Sequence, residues 1–203
     1  ERVRILEAIK TQEANPTEAL SNALLKQIYP RHPYSVDVLG TSESVKTITR
    51  DDLLNYYSQH YAAPIISIVG NIDQNSIIAA LNDRLSNLTA VQLSSEKVIS
   101  PEARRNKKLH KEKAITDNWI GIGYPAPNAT DPERFSAVMM NAVLGGSMGA
   151  RLFTNLRDKQ GLAYSVGSRY SVLERAGHIT LFIGTHPHNQ QKALKGLLVE
   201  AKK

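Results

Sequence analysis

Cysteine is absent from the 203 residues, which removes disulfides and thiol chemistry and is compatible with cytosol, periplasm or organelle alike. Long apolar runs are absent as well. The longest, Pro64-Ile65-Ile66 with Ile68-Val69, falls far short of the roughly 20 residues a membrane helix needs, so no span is expected. No initiator Met and no apolar leader opens the chain. Glu1-Arg2-Val3-Arg4 reads as a start inside a longer protein, or as what remains once a leader is removed.

What is present suits a globular protein with a buried core: 41% hydrophobic and 22% charged residues. The length holds one large domain or two small ones. Lys and Arg number 25 against 19 Asp and Glu, a formal net charge of +6. A nucleic-acid surface needs such charge focused in a stripe with aromatics. Here the densest basic stretch, Arg104-Arg105-Asn106-Lys107-Lys108 with Lys111 and Lys113, has few apolar anchors. It reads as a solvated linker, and no nucleic-acid partner is expected.

Val3, Leu6 and Ile9 recur at helical spacing over residues 1–12, and Ala14-Asn15-Pro16-Thr17 breaks that helix. Thr17 is the expected cap of a second helix with the stripe Leu20, Ala23, Leu24 and Ile28. Pro30 and Pro33 stop it, and an ordered loop follows to Gly40. Thr49 caps a helix with Asp51 and Asp52 in its first turn and Leu53, Tyr57 and Tyr61 on one face. The run from Ile65 to Val69 reads as a strand buried on both faces. Asp73 then caps a helix with the core face Ile77, Leu81, Leu85 and Leu88.

Apolar periodicity fades from Thr89 to Lys113 and restarts with a strand at Trp119 to Tyr124. Thr130-Asp131-Pro132 starts a helix whose expected buried side is Phe135, Val138, Met139, Ala142 and Val143, stopped by Gly145-Gly146. A short helix over 151–158 carries Leu152, Phe153 and Leu156. Strands at 163–172 and 178–184 form an expected antiparallel hairpin, and a helix occupies 190–203.

Four clusters bear on chemistry. Glu1, Glu7, Glu13 and Glu18 have no histidine beside them and read as surface acids. Gly145-Gly146-Ser147-Met148-Gly149 is not followed by Lys-Ser/Thr, which excludes a P-loop and leaves a connection between helices. His186 and His188 lack a third and fourth metal ligand nearby and read as a helix-capping turn. Arg157 and Tyr164 flank a turn at Gly161 between helix and strand. Taken alone they read as a surface Arg and a half-buried Tyr, although a permanent guanidinium and a phenol so placed would also suit holding a peptide main chain or steadying an oxyanion.

Leu144-Gly145-Gly146, Ala150-Arg151-Leu152-Phe153, and Leu156-Arg157 through Ala163-Tyr164-Ser165-Val166 resemble the second-domain signature of the pitrilysin/insulysin zinc metallopeptidases. That family includes the mitochondrial processing peptidases and many bacterial zinc-protease-like proteins. The first half agrees in order and spacing: Glu1-Arg2 to Asn15-Pro16, His32-Pro33-Tyr34 to Gly40, Ile48-Thr49 to Asp52-Leu53, and Tyr61 to Val69-Gly70. The resemblance implies an α+β fold of mixed, largely antiparallel sheets backed by helices on one face, in two similar domains. On that pattern residues 1–90 are the C-terminal part of an incomplete first domain, 91–113 a linker, and 114–203 the N-terminal part of the second.

The resemblance also implies that Arg157 and Tyr164 contact substrate. The family's His-x-x-Glu-His zinc motif does not occur in these residues. Its downstream glutamate ligand, aligned on Asn15-Pro16, falls at Ala8 of Glu7-Ala8-Ile9, and a methyl group cannot coordinate zinc. The expectation is therefore a piece of a zinc-free subunit, inactive alone, whose Arg/Tyr pair serves proteolysis at a zinc held in another part or partner. The expected partners are a peptide or unfolded polypeptide and a homologous zinc-bearing subunit, or a second copy. The alternative is a non-catalytic structural core subunit or peptide-binding protein of the same fold. Export of such bacterial relatives makes the periplasm the expected compartment, with the cytoplasm the alternative.

Overall fold

A computed structural model describes residues 1–61, 65–86, 109–110 and 116–203. The chain folds as two compact units, one made of Glu1–Ser42 with Ile99–Lys203 and the other of Glu43–Val98.

The larger unit opens with helices α1 (Arg2–Ala14) and α2 (Pro16–Ile28). The cap of α2 is Asn15 rather than the expected Thr17: its side chain accepts from the amides of Thr17 and Glu18. Pro16 is the reason, because at the first helical position its fixed φ starts the helix two residues earlier. The 29–40 loop is ordered by polar contacts. Asp37 accepts from Gln12 and Asn22 at 2.8 and 2.6 Å, pinning the loop to both helices.

The smaller unit holds α3 (Ser42–Thr47), which periodicity did not reveal, then α4 (Arg50–His60) and α5 (Gln74–Leu85). Thr49 and Asp52 close a reciprocal capping box on α4, and Asp73 caps α5 through the Ser76 amide, both as expected. Ile77, Leu81 and Leu85 are the part-buried stripe of α5, while Leu88 lies outside the described residues. The strand expected at Ile65–Val69 is not formed. A strand needs a ladder, and among the described residues this segment has none, so Ile65 and Val69 stand 99% and 96% exposed. The expected linker at 91–113 lies outside the described residues, apart from Leu109 and His110.

The rest of the larger unit is a three-stranded antiparallel sheet with helices. Its strands β1 (Asn118–Ala126), β2 (Ser165–Val172) and β3 (Gly177–Thr185) lie in the order β1-β3-β2. The expected hairpin is present, with Ser165 opposite Gly184 and Val172 opposite Gly177. This mixture of helices with a small antiparallel sheet is the α+β class that the resemblance led us to expect.

Helix α6 (Arg134–Leu144) begins later than Thr130-Asp131-Pro132 suggests. Asn128 Oδ1 accepts from the amides of Thr130 and Asp131, and Asp131 accepts from Glu133, so those residues are spent on turns. Its buried side also differs from expectation. Ala137 and Leu144 face the core, whereas Phe135, Val138, Met139, Ala142 and Val143 are exposed. The broad apolar face has no cover among the described residues, and the narrower stripe meets the sheet.

One sheet face and helix α7 (Gln190–Lys202) enclose the core, with Leu152, Leu156, Leu181, Ile183, Ala193 and Leu197 all within 1% of full burial. At about 25 cal/mol per Å² of apolar area, each such leucine contributes roughly 1.5–3 kcal/mol. The opposite face of β1 carries α2. A Cβ on Gly121 would lie 2.7 Å from Leu24, and one on Gly123 2.5 Å from Ile28. Glycine at these two positions lets the Leu20-Leu24-Ile28 stripe rest directly on the strand backbone.

Candidate functional site: the Arg157–Tyr164 corner

The segment between α6 and β2 sets up the corner. Arg151 to Lys159 is helical, and from Phe153 to Lys159 it takes the wider π form. Leu152 and Leu156 anchor it in the core, which turns Arg157 outward. An ion pair fixes the start of this helix: Arg151 donates to the Glu200 carboxylate at 2.9 Å and to the Glu200 carbonyl at 2.8 Å. Burial would raise the Glu200 pKa, but hydrogen bonds from Lys203 and Arg151 outweigh it and hold the carboxyl below its usual range.

The chain then reverses at Gly161, whose φ of 59° is the left-handed conformation glycine tolerates. Three bonds fix the path from Arg157 to Tyr164. Leu162 donates its amide to the Leu156 carbonyl at 2.9 Å, Thr185 donates its hydroxyl to the Leu162 carbonyl at 2.6 Å, and Tyr164 donates its amide to Gly184 at 3.3 Å.

Both side chains of the pair are exposed. The Arg157 guanidinium carbon sits 4.7 Å from the centroid of the Phe153 ring, a cation–π arrangement that restrains it without neutralising it. Tyr164 packs edge-on against Trp119, with ring centroids 5.6 Å apart, and lies over Gly184, where a Cβ would meet the phenol at 2.7 Å. Partial burial, helped by the negative charge of Asp117, pushes the Tyr164 phenol up. It therefore stays protonated and able to donate at neutral pH. Arg157 lines an open groove of 570 Å³ running along β2; Tyr164 stands outside that lining, next to Ser165, which belongs to it.

The other candidates fall elsewhere. Glu1 pairs with Arg4 at 2.7 Å, and Glu7, Glu13 and Glu18 are exposed on α1 and α2. His186 Nδ1 accepts from the His188 amide, so this pair closes a 3₁₀ turn ahead of α7. Gly145 accepts the Ser168 amide at 3.0 Å and so joins α6 to β2. Ala8 is part-buried on α1 beside the exposed Glu7. Among the described residues no three His, Cys, Asp or Glu side chains converge, so those present do not fit a zinc ion by themselves. No helix among them is long and apolar enough to cross a membrane.

Two features escaped the sequence. Trp119 and Gly184 shape the seat of Tyr164, and only the β1–β3 register, which pairs them directly, brings them together. Arg169 lines the groove with Arg157, and nothing in its local spacing marks it.

A helix-backed antiparallel sheet carrying this helix–turn–strand corner defines the class. Residues 47–203 match the family described as the Peptidase M16 inactive domain, and the chain belongs to that family. It is 30% identical over 190 residues to the uncharacterized zinc protease YmxG of Bacillus subtilis, covering 93% of this chain and 46% of that protein. An uncharacterized zinc protease of Streptomyces coelicolor is 28% identical over 204 residues, covering 96% of this chain and 44% of the relative. The crystal structure of a peptidase M16 inactive domain from Pseudomonas fluorescens superposes with a TM-score of 0.81 at 23% identity, over 99% of this chain and 49% of that one. The chain thus spans less than half the length of these relatives.

Proposed function

We propose that this chain is the peptide-gripping part of a zinc-free metallopeptidase subunit, in which Arg157 and Tyr164 hold substrate for a zinc ion carried by another part or partner. The observation behind this reading is the corner itself. A guanidinium and a protonated phenol are both solvent-exposed, yet each is seated by packing and joined by a path of three hydrogen bonds. Such seating limits the entropy lost when donors engage a main-chain carbonyl. Ala8, where the resemblance expects a glutamate ligand, supports placing the metal elsewhere. The supplied chemistry would be a metal-activated water; this chain's share is binding and orientation.

The test mixes the full-length protein with a homologous zinc-bearing subunit and follows cleavage of an unstructured peptide. Turnover should require both proteins, and Arg157→Ala or Tyr164→Phe should lower it by about 10²-fold, as loss of one oxyanion-type donor does. Full turnover in both variants would instead favour a structural subunit of the same fold. One tightly bound zinc per full-length protein would overturn the zinc-free assignment.

A further inference from the structure

The groove beside Arg157 has a charge that the Arg/Tyr reading does not use. Arg157 and Arg169 both line it, both are exposed, and no acidic residue contributes to its lining. Among the described residues neither guanidinium forms an ion pair. Two permanent cations lining one concave surface make its potential positive, which favours an anion there. Met148, Phe153 and Phe182 add apolar surface to the same groove.

The second observation is the backbone. In the order β1-β3-β2, strand β2 has β3 on one side only among the described residues. Its Ser168 amide turns away from β3 and donates to the Gly145 carbonyl at 3.0 Å, outside the ladder. An antiparallel pair bonds alternate residues, so Val166 and Tyr170 turn their backbone groups to that same outer edge. Gly145 closes the rung at Ser168. The rung at Val166, on the Arg157 side, has no partner among the described residues, and Val166 lies within the groove lining. An open edge amide and carbonyl beside a pocketed surface are what strand addition uses.

We propose that this groove selects acidic polypeptide segments: the main chain pairs with the Val166 rung of β2, and a carboxylate side chain is held by Arg157 and Arg169. The inference rests on the reading of this chain as a peptide grip, and adds which peptides it takes and in what form.

The test uses the full-length protein and fluorescein-labelled hexapeptides of alternating Leu with Glu, Gln or Lys, read by anisotropy. The Glu peptide should bind, the Gln form about tenfold more weakly, and the Lys form not measurably, as expected for charge-assisted hydrogen bonds. Arg169→Gln should cost the Glu peptide about tenfold and leave the Gln form nearly unchanged. Methylating single peptide nitrogens should abolish binding at the one position that donates to the Val166 carbonyl. Equal affinity for the Glu and Lys forms, or indifference to Arg169→Gln, would overturn acid selection; a methylation series with no sensitive position would overturn strand pairing. If all three peptides bind alike and Tyr164→Phe weakens each of them, the grip stands and this inference fails. If no peptide binds, both fall.

Discussion

Two tyrosines at opposite ends of the hairpin sheet have opposite fates. Tyr29, at the end of α2, is 2% exposed, and its hydroxyl lies 2.8 Å from Nδ1 of the buried His178 on β3. Burial, with the neighbouring Tyr34, pushes its phenol up to about 12, so it keeps its proton and shares a hydrogen bond with the imidazole. Tyr164 is 47% exposed, and among the described residues its hydroxyl has no partner. Trp119 and Gly184 hold the ring while the polar end remains free. The first phenol is spent on joining a helix to a sheet. The second is fixed in place and unspent, which is what a binding group requires.

Removing each hydroxyl separates the two roles. Tyr164→Phe should lower peptide turnover in the assembled system by about 10²-fold. Its unfolding free energy should move by no more than about 0.5 kcal/mol, as for a surface change. Tyr29→Phe should do the reverse, leaving a buried imidazole nitrogen unpaired at a cost of about 1–3 kcal/mol while turnover holds. Urea denaturation and peptide cleavage on the same two variants read both quantities. If Tyr29→Phe matched Tyr164→Phe in lost turnover, the contrast between seam and grip would be wrong.

A subtler change acts on position rather than chemistry. Gly184→Ala places a methyl 2.7 Å from the Tyr164 phenol and 3.1 Å from Trp119, so the ring must shift although the hydroxyl survives. Turnover should fall about tenfold, less than for Tyr164→Phe, because misplacing a group costs less than deleting it. Restoring activity with Trp119→Phe in the Gly184→Ala background, by making room for the ring, would sharpen the case. Normal activity in Gly184→Ala alone would mean that the seat of Tyr164 does not matter.

What could be read from the sequence followed from local physics. The break of α1 before Pro16, the Thr49 and Asp73 caps, the turn at Gly161 and the 165–185 hairpin all follow from capping and turn chemistry within a few residues. The errors came where partners were needed. Ile65–Val69 has strand composition but no ladder among the described residues, and the apolar stripe of α6 was taken to be its buried side. The site divided the same way. Arg157 and Tyr164 drew notice because a short turn joins them, and their expected role came only from the family resemblance. Trp119, Gly184 and Arg169 could not, because only sheet register gathers them. The Tyr29–His178 bond spans 149 residues and leaves no local trace.

That long-range bond gives the seam a pH dependence that the corner lacks. Burial lowers the His178 pKa below its ordinary 6.5. The neutral ring shares its Nδ1 hydrogen bond with the Tyr29 hydroxyl, and the aromatic neighbours His32 and Tyr34 complete the cluster around them. Between the folded and unfolded pKa values the unfolded chain binds the proton and the folded chain does not, so stability rises with pH there. The contribution is fully present above about pH 6.5 and is lost as pH falls towards the folded value, at about 1.4 kcal/mol for each unit of separation. His178→Gln retains an acceptor for the Tyr29 hydroxyl but cannot titrate. Subtracting its unfolding curve from the parent's across this range isolates the histidine from His32 and the carboxylates. The difference should slope upward with pH and flatten above 6.5; a flat difference throughout, or a downward slope, would show that the imidazole is not held neutral by the seam.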